Sequence, residues 1–451
     1  MLNLRKLALG LALLLLSSVL HAQQSLTLRA AVQMALEKNP LRKAAMAETH
    51  IARANVREAR SALFPRIMFS ETAIRGNDPV YVFGTKLRQQ RFTAADFSLN
   101  QLNTPAPIGN FTSKFSGQWR LFDSFQNYRS IDRARMMNDA ASEQLERGDQ
   151  ELISRVVQSY YGVLLARRQL AVAEEAVKTT TAIEDQSRNR VESGLAVDAD
   201  LLSSQVLSAS RQQELIRARN NLSYATAQLA ITIGVPAEAI ASPVDVLADL
   251  TLPNVEIAVL EQHALQQRPD LRRLRSEQGA QLQSVAIARR AFGPRIDTFG
   301  SWQTDSYSLG WNAGNNWTAG IEVQFDLFSG GAKTAQLQRE KAMAERIAAM
   351  RLAFEDNVRL EVRRSYYDYD AAHQQVAVAK AATQQATESL RILRNRYDAG
   401  LTTVTELLRA EDASNRAQMD YWHAAYRVQT GFADLELASG KLTIDSPVVT
   451  P

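Results

Sequence analysis

The side chains that most often do chemistry in proteins do not converge anywhere in this sequence. The chain has no cysteine, which excludes thiol nucleophiles, cysteine-bound zinc and disulfide bonds. Five histidines are scattered and include no pair at metal-ligand spacing: His21, His50, His263, His373 and His423. The segment "SGGAKT" (329–334) lacks the spacing of a phosphate-binding loop, and its glycines are better explained as a link from strand to helix. We therefore predict no enzyme activity, no metal site and no cofactor.

The local chemistry that the sequence repeats is that of helix termini. "RVESGLAVDADLLSSQ" (190–205) is related to "RYDAGLTTVTELLRAE" (396–411), 206 residues later. Arg190 and Arg396 would lie in a last helical turn, where a cation complements the helix dipole. Gly194 and Gly400 would follow in the left-handed conformation that glycine adopts at little cost.

Each of these turns would lead into a second helix. Thr403 and Glu406 fit a capping box, and Asp198 could cap the helix after the first turn. Leu195 and Leu401 follow the glycines directly, and an apolar residue at an exposed turn predicts a docking surface. The alternative is that both segments are simply favourable turns.

The repeat extends over most of the chain. "NFTSKFSGQWRLFDS" (110–124) matches "NWTAGIEVQFDLFSG" (316–330) at the offset of 206, whereas "LFPRI" (63–67) matches "FGPRI" (292–296) at an offset of 229. The difference of 23 residues places an insertion between 68 and 110 in the first half. Because Pro, Gly and Asn concentrate there and periodicity is lost, we predict a loop.

Each half has the same order of predicted elements. A helical segment ends at a proline turn, two short strands follow, and then come 71 residues without proline, 123–193 and 329–399. A helix of that length would measure about 107 Å, and such lengths are typical of coiled coils or helical assemblies. A returning helix would reach about Ile233 and Leu437. Tyr160 and Tyr161 match Tyr366 and Tyr367, and all four are predicted to pack.

The predicted strands alternate between apolar and polar residues. Six positions are assigned to the apolar face: Trp119, Leu121, Trp317, Ile321, Val323 and Phe325. Alternation fits a half-buried soluble sheet or a strand that crosses a membrane. No second layer is evident and the chain is predicted to be exported, so we favour the membrane. Four strands cannot close a barrel, so the chain must then assemble as a dimer or a trimer.

The first residues predict export. Arg5 and Lys6 precede an apolar run from Leu7 to Leu16, and Ala22 suits cleavage of a signal peptide at 1–22. An N-terminal membrane anchor is the alternative, but the run is shorter than the ~20 residues that a span needs. Removing the signal would leave 50 basic residues of the original 52 against 48 acidic ones, which gives no reason to expect nucleic-acid binding.

The duplicated "RxxxGL" turns and the strand-to-helix junctions "WRLFDS" and "FDLFSG" resemble the outer membrane efflux protein family, typified by TolC. The resemblance implies a mainly α fold with a small transmembrane β-barrel. A homotrimer would form a 12-stranded barrel in outer-membrane lipid and a periplasmic α-barrel tunnel. It also implies an exit duct of a tripartite efflux or type I secretion system, with a periplasmic membrane fusion (adaptor) protein and an inner-membrane RND or ABC transporter as partners.

The resemblance also implies functional positions. Gly194, Leu195, Gly400 and Leu401 would be the tips where the adaptor docks. Tyr397 and Asp200 would form a hydrogen bond that closes the periplasmic gate, and Glu406 would line the constriction. Thr402 and Arg409 depart from the arginine and the acidic residue that the family pattern places there, which predicts an altered gate network and leaves the substrate open.

The predicted organisation is a signal peptide at 1–22, a first repeat at 23–233, a linker at 234–254, a second repeat at 255–440 and a C-terminal tail at 441–451. Two other classes of protein compete with the exit duct. A soluble periplasmic coiled-coil adaptor would have one hairpin and no membrane strands, and an exported enzyme would need a polar constellation that the sequence lacks.

Overall fold

The structure is a computed structural model that describes residues 26–245, 256–309 and 314–450. The predicted signal peptide and residues 246–254 of the predicted linker lie outside the described residues. None of the described helices has a stretch apolar and long enough to cross a membrane.

The described chain is mostly helical with one small sheet. The helices are α1 Leu28–Lys38, α2 Pro40–Ser61, α3 Pro79–Arg88, α4 Leu99–Asn103, α5 Gln126–Glu192, α6 Asp198–Ile233, α7 Ile257–Gln267, α8 Pro269–Arg290, α9 Ala332–Asp398 and α10 Val404–Ser439. The strands are β1 Arg66–Gly76, β2 Ile108–Phe122, β3 Arg295–Ser306 and β4 Gly314–Gln324.

The repeated plan predicted from the sequence is present in the structure. The two long helices α5 and α9 have 67 residues each, and the returning helices α6 and α10 have 36 each. Their first residues are 206 positions apart, as the sequence offset requires. The helices before the sheet, α1 with α2 and α7 with α8, are related by the other offset of 229.

The first helical segment of each half is divided in two, which the sequence analysis treated as one element. The breaks lie at Asn39–Pro40 and at Arg268–Pro269. Proline lacks the N–H that continues a helix, and it pushes the preceding residue out of the helical region. Asn39 and Arg268 accordingly have ψ values of 125° and 127°.

Tertiary contacts divide the chain into two compact units. The first unit comprises the described residues of 1–47, 142–272 and 352–451. Its core is one large apolar cluster contributed by both repeats, and the fully buried members include Val156, Tyr160, Leu229, Val362 and Ala433. The predicted tail belongs to this core, because Leu442, Val448 and Val449 are buried there.

The predicted packing of the tyrosines is correct for the first repeat and only partly so for the second. Tyr160 and Tyr161 are at most 2% exposed, and burial raises the pKa of both hydroxyls. Tyr367 is 59% exposed, whereas Tyr369, two residues later, is buried. The two long helices nevertheless bury equivalent positions, since Val163, the counterpart of Tyr369, is buried too, and α5 buries Tyr161 in addition.

The second unit comprises the described residues of 48–141 and 273–351 and contains the sheet. The strands follow the order β1-β2-β3-β4, and every neighbouring pair is antiparallel. One face carries an aromatic row, because Phe69 pairs with Phe115, Phe115 with Trp302, and Trp302 with Trp317. The opposite face is mainly polar, with Ser116 opposite Ser301 among its pairs, although Met68 and Phe299 also lie on it.

The insertion between 68 and 110 is not a simple loop, so that prediction was wrong. Strand β1 continues to Gly76, α3 and α4 follow with a 3₁₀ turn at Ala94–Phe97 between them, and β2 begins at Ile108. Asp78 caps α3 by accepting a hydrogen bond from the Tyr81 N–H at 2.8 Å, and Pro79 occupies the first turn. Asp followed by Pro is a helix-start signal that the composition of this segment obscured.

Candidate functional site

The two helical turns have the same backbone geometry. Gly194 has φ +72° and Gly400 has φ +73°. The N–H groups of Leu195 and Leu401 each donate to a carbonyl five residues earlier at 2.8 Å. This pattern is the Schellman motif, which satisfies the last carbonyls of a helix and needs a left-handed residue. Both glycines therefore stand where the turn requires glycine.

Arg190 joins the two turns to each other. Its Nη2 donates to the backbone oxygens of Tyr397 at 2.5 Å and of Asp398 at 3.1 Å. Its guanidinium also lies 4.3 Å from the centroid of the Tyr397 ring. These carbonyls belong to the last turn of α9, where helical N–H partners run out, and the Tyr397 oxygen also accepts from the Gly400 N–H at 3.0 Å. Arg190 therefore caps α9 and not its own helix α5, which its position in the sequence does not show.

Arg396, one repeat later, makes no such link to any described residue of the other turn. Its Nη2 lies 3.5 Å from the backbone oxygen of Leu401, which is at the limit for a hydrogen bond. A second bond between the turns comes from Gln186, whose Nε2 donates to the Asp398 carboxylate at 2.8 Å. The contacts across the turns thus run from α5 to the end of α9.

The predicted hydrogen bond between Tyr397 and Asp200 is not formed in the described chain. The Tyr397 hydroxyl instead lies 3.2 Å from Oγ of Ser187. Both side chains are buried, at 3% and 0% exposure, and a buried hydroxyl needs a partner within reach. Asp200 lies in the first turn of α6 with Asp198, where acidic groups complement the helix dipole.

The starts of the returning helices differ from each other. Thr403 caps α10 by accepting from the Glu406 N–H at 3.4 Å, so half of the predicted capping box is present. Glu406 does not complete the box, because its carboxylate pairs with Arg409 at 3.1 Å. Asp198 does not cap α6: the cap position is Val197, which has no side-chain acceptor. Asp198 is the first residue inside that helix.

A small apolar cluster lies directly behind the turns. Ile183 from α5, Tyr397 from α9, and Val404 with Leu407 from α10 are all at most 3% exposed. Beyond this cluster, Leu195 and Leu401 are 78% and 68% exposed. The turns therefore combine a packed base with apolar side chains that face solvent, an arrangement suited to binding another protein.

A buried ionic cluster links α6 to α10, and the sequence analysis missed it. Arg211 donates to Glu411 at 3.1 Å and to Asp412 at 2.9 Å, and it also pairs with Glu214. The side chains of Arg211 and Glu411 are each 4% exposed, and burial raises the pKa of the Glu411 carboxyl. Charged residues on long helices usually face solvent, so only the fold could identify this pair.

Most of the predicted strand positions lie in strands. Trp119 and Leu121 are in β2, and Trp317, Ile321 and Val323 are in β4. Phe325 follows the last residue of β4, so its assignment to a strand was wrong. Trp317, Ile321 and Val323 are 66–77% exposed in the single chain, which leaves an apolar face without a cover.

Nothing in the described residues resembles a metal site, since no group of three or more His, Asp or Glu side chains is placed to hold an ion. Gly330 and Gly331 have φ values of +60° and +85° between β4 and α9. They act as the link from strand to helix that the sequence predicted.

Comparisons with known proteins agree with this arrangement. The sequence model of the outer membrane efflux protein family matches residues 31–235 and 260–441. The alkaline protease secretion protein AprF of Pseudomonas aeruginosa is 26% identical over 430 residues, which cover 91% of this chain and 83% of AprF. The cation efflux system protein CusC of Escherichia coli K12 is 26% identical over 350 residues, 70% of each chain.

Solved structures show the same fold. The CmeC outer membrane channel of Campylobacter jejuni superposes with a TM-score of 0.79 at 18% identity, and the match covers 94% of this chain and 88% of CmeC. The family match covers both halves of the repeat. The chain belongs to the outer membrane efflux protein family, and its predicted outer-membrane location and exit-duct function are confirmed.

Proposed function

We propose that three copies of this chain form the outer-membrane exit duct of a tripartite efflux or type I secretion system. In this assembly a periplasmic adaptor would dock at the helical turns, and an inner-membrane RND or ABC transporter would supply the substrate. The observation that supports the proposal is that Arg190 joins the two helical turns, in a chain whose sheet exposes an aromatic face.

The sheet supports assembly in a membrane. Strands β1 and β4 are the two edges of the four-stranded sheet. An edge strand cannot face lipid, because its free N–H and C=O groups would lack partners there. Joining β4 of one copy to β1 of the next removes every edge. Three copies give twelve strands, with the aromatic face toward lipid and the polar face toward the passage.

The helical turns support docking of the adaptor. Leu195 and Leu401 are exposed, they follow glycines of the same conformation, and they stand on a packed apolar base. Replacing both leucines by serine should weaken capture of the adaptor in a pull-down from cross-linked cells. Leu87→Ser is the control, because Leu87 is also an exposed apolar residue but lies in α3, outside both turns. This variant should leave capture unchanged.

The contacts of Arg190 support a gate at the same end. We assign closure within each copy to Arg190, which holds the end of α9, with Tyr397 beneath its guanidinium. The Asp200 carboxylate has no side-chain partner in the described part of its own chain, so it is available to a neighbouring copy. Glu406 is paired with Arg409, which lowers the negative charge that a constriction formed at this level would present.

No substrate class is assigned to the duct. AprF is named for protease secretion and CusC for cation efflux, and both are similar to this chain over most of its length. The pairing of Glu406 with Arg409 argues against strong selection for cations at that level.

Planar-bilayer recording of the detergent-purified protein tests the proposal. Wild type should migrate as a trimer and give small, mostly closed currents, and the double variant Asp200→Ala with Tyr397→Phe should open more often. Conduction that the double variant does not change would remove Asp200 and Tyr397 from the gate but leave the duct. A monomer that remains in solution without detergent and never conducts would refute the trimeric duct.

A further inference from the structure

The insertion in the first repeat forms a compact substructure against the sheet. Within it, three aromatic rings contact one another: Phe83 with Phe92 at 4.8 Å, and Phe92 with Phe97 at 5.2 Å between centroids. Lys86 pairs with Asp96 at 2.6 Å, and this pairing lowers the pKa of the Asp96 carboxyl to about 2. A segment with its own aromatic cluster and ion pair holds a defined shape.

The end of α3 is fixed to the sheet by buried polar contacts. Nε2 of Gln89 donates to the backbone oxygen of Gly109 at 3.0 Å and to the Asn110 side chain at 2.9 Å. Asn110 in turn donates to Asp305 at 2.7 Å. Gln89 and Asn110 are 4% exposed and Asp305 is fully buried, so these bonds are protected from water.

A close backbone approach adds to this attachment. A Cβ atom on Gly314 would lie 1.9 Å from the backbone oxygen of Arg88, which no side chain could tolerate. Only glycine therefore lets the end of α3 lie this close to β4. The Arg91 guanidinium also lies over the Tyr307 ring at 4.8 Å, just past the end of β3.

These contacts identify the face that α3 covers. Asp305 pairs with Thr112 on one side and with Gly314 on the other, so the three share one face of the sheet. Residues an even number of positions apart along a strand share a face. Asn110 and Ser116 of β2 therefore lie on the same face as Thr112. This is the polar face, opposite the aromatic row.

We propose that residues 79–104 form an outer cap, a folded segment that lies across the passage side of the sheet and limits the size of the compounds that leave. The inference rests on the proposed function, because the polar face lines a passage only if the sheets close into a barrel. The second repeat lacks the 23 extra residues, so each copy contributes one cap.

The absence of cysteine from the chain allows a clean accessibility test in whole cells. Ser116→Cys places one thiol on the polar face beyond the cap, and Ser308→Cys places one at an exposed position outside it. Each is made in the intact chain and in a variant whose residues 77–107 are replaced by a copy of 307–313, the shorter connection of the second repeat. Cells are treated with a small charged maleimide and with a bulky polyethylene-glycol maleimide.

With the cap intact, the small reagent should label both positions, whereas the bulky reagent should label only Ser308→Cys. Without the cap, the bulky reagent should label Ser116→Cys at least about tenfold faster. A point variant controls for misfolding of the variant in which residues 77–107 are replaced. Gln89→Leu removes the donor to the Gly109 carbonyl and to the buried Asn110 side chain, and it should accelerate bulky labelling about fivefold, whereas Gln101→Leu on the exposed surface of α4 should not.

Equal bulky labelling of Ser116→Cys with and without the cap would overturn the cap and leave the duct intact. Failure of even the small reagent at Ser116→Cys, with normal labelling of Ser308→Cys, would show that the polar face lines no open passage. That result would refute the barrel assignment of the proposed function, and the cap with it.

Discussion

Arg190→Ala should open the periplasmic end of the duct. The substitution removes the donor that caps α9 from the neighbouring helix and uncovers the Tyr397 ring. The hydroxyl contact between Tyr397 and Ser187 stays, so the base of the turns should remain packed. Arg396→Ala removes the same charge from the equivalent position of the second repeat, where only a 3.5 Å contact is lost.

The size of the effect follows from the contacts. A hydrogen bond from a charged donor contributes about 1.5–3 kcal/mol, and we take the lower value because the Arg190 side chain is only half buried. A cation–π contact at such a site adds about 0.5 kcal/mol. The total of about 2 kcal/mol per chain changes the ratio of open to closed ends by about 30-fold. If three copies open together, this factor is a lower bound.

Single-channel recording measures the ratio directly as open probability. Arg190→Ala should raise it by about 30-fold or more, whereas Tyr397→Phe, which removes one neutral hydrogen bond worth about 1 kcal/mol, should raise it only about fivefold. Thermal melting of the trimer in detergent controls for global unfolding. Equal open probabilities for Arg190→Ala and Arg396→Ala would refute the reasoning, because the charge and not the contact would then be responsible.

Three further predictions concern the packing of the helices. Gly234→Ala should lower the melting temperature well beyond Gly194→Ala, because both glycines have positive φ but only the Cβ at Gly234 would meet backbone atoms, the nearest at 2.9 Å. Arg211→Met should destabilise the chain by about 3–5 kcal/mol in denaturant titrations by leaving Glu411 buried without its partner, and adding Glu411→Leu should recover most of the loss. Burial raises the pKa of Glu436 to about 7, so its stabilising contribution is complete below the unfolded value of 4.5 and is lost as the pH rises through 7. The melting temperature should therefore fall between pH 5 and pH 8, and Glu436→Gln should reduce that fall.

Sequence reasoning was most successful where one local rule decides the structure. The glycines of the turns and the proline turns before the sheet follow from backbone sterics, and the four long helices have the predicted lengths to within a few residues. The breaks at Pro40 and Pro269 obey the same rule but were not predicted. The strands were identified because alternation with period two is visible without knowledge of the partner strands.

Sequence reasoning did not find the contacts that long-range packing decides. Ser187 is the partner of Tyr397 because both are buried between helices, and no local pattern in the sequence brings them together. The ionic cluster of Arg211 and Glu411 joins residues 200 positions apart in two helices whose charged residues are mostly exposed. The insertion was predicted as a loop because its turn-forming composition concealed the Asp78–Pro79 start of α3.

The helix breaks have a consequence for how the chain folds after export. A Cβ on Gly234 would lie 2.9 Å from Cα of Asn39, and the Asn39 side chain donates to the Thr232 carbonyl at 2.8 Å. In the second repeat, Arg268 donates to the Ala438 carbonyl at 3.0 Å, beside Gly440. Each repeat thus contains a contact between its own beginning and its own end. We expect the first repeat to form this contact before the second repeat has been exported. A half-length chain would then already be partly ordered and would expose an apolar surface to which a chaperone can bind.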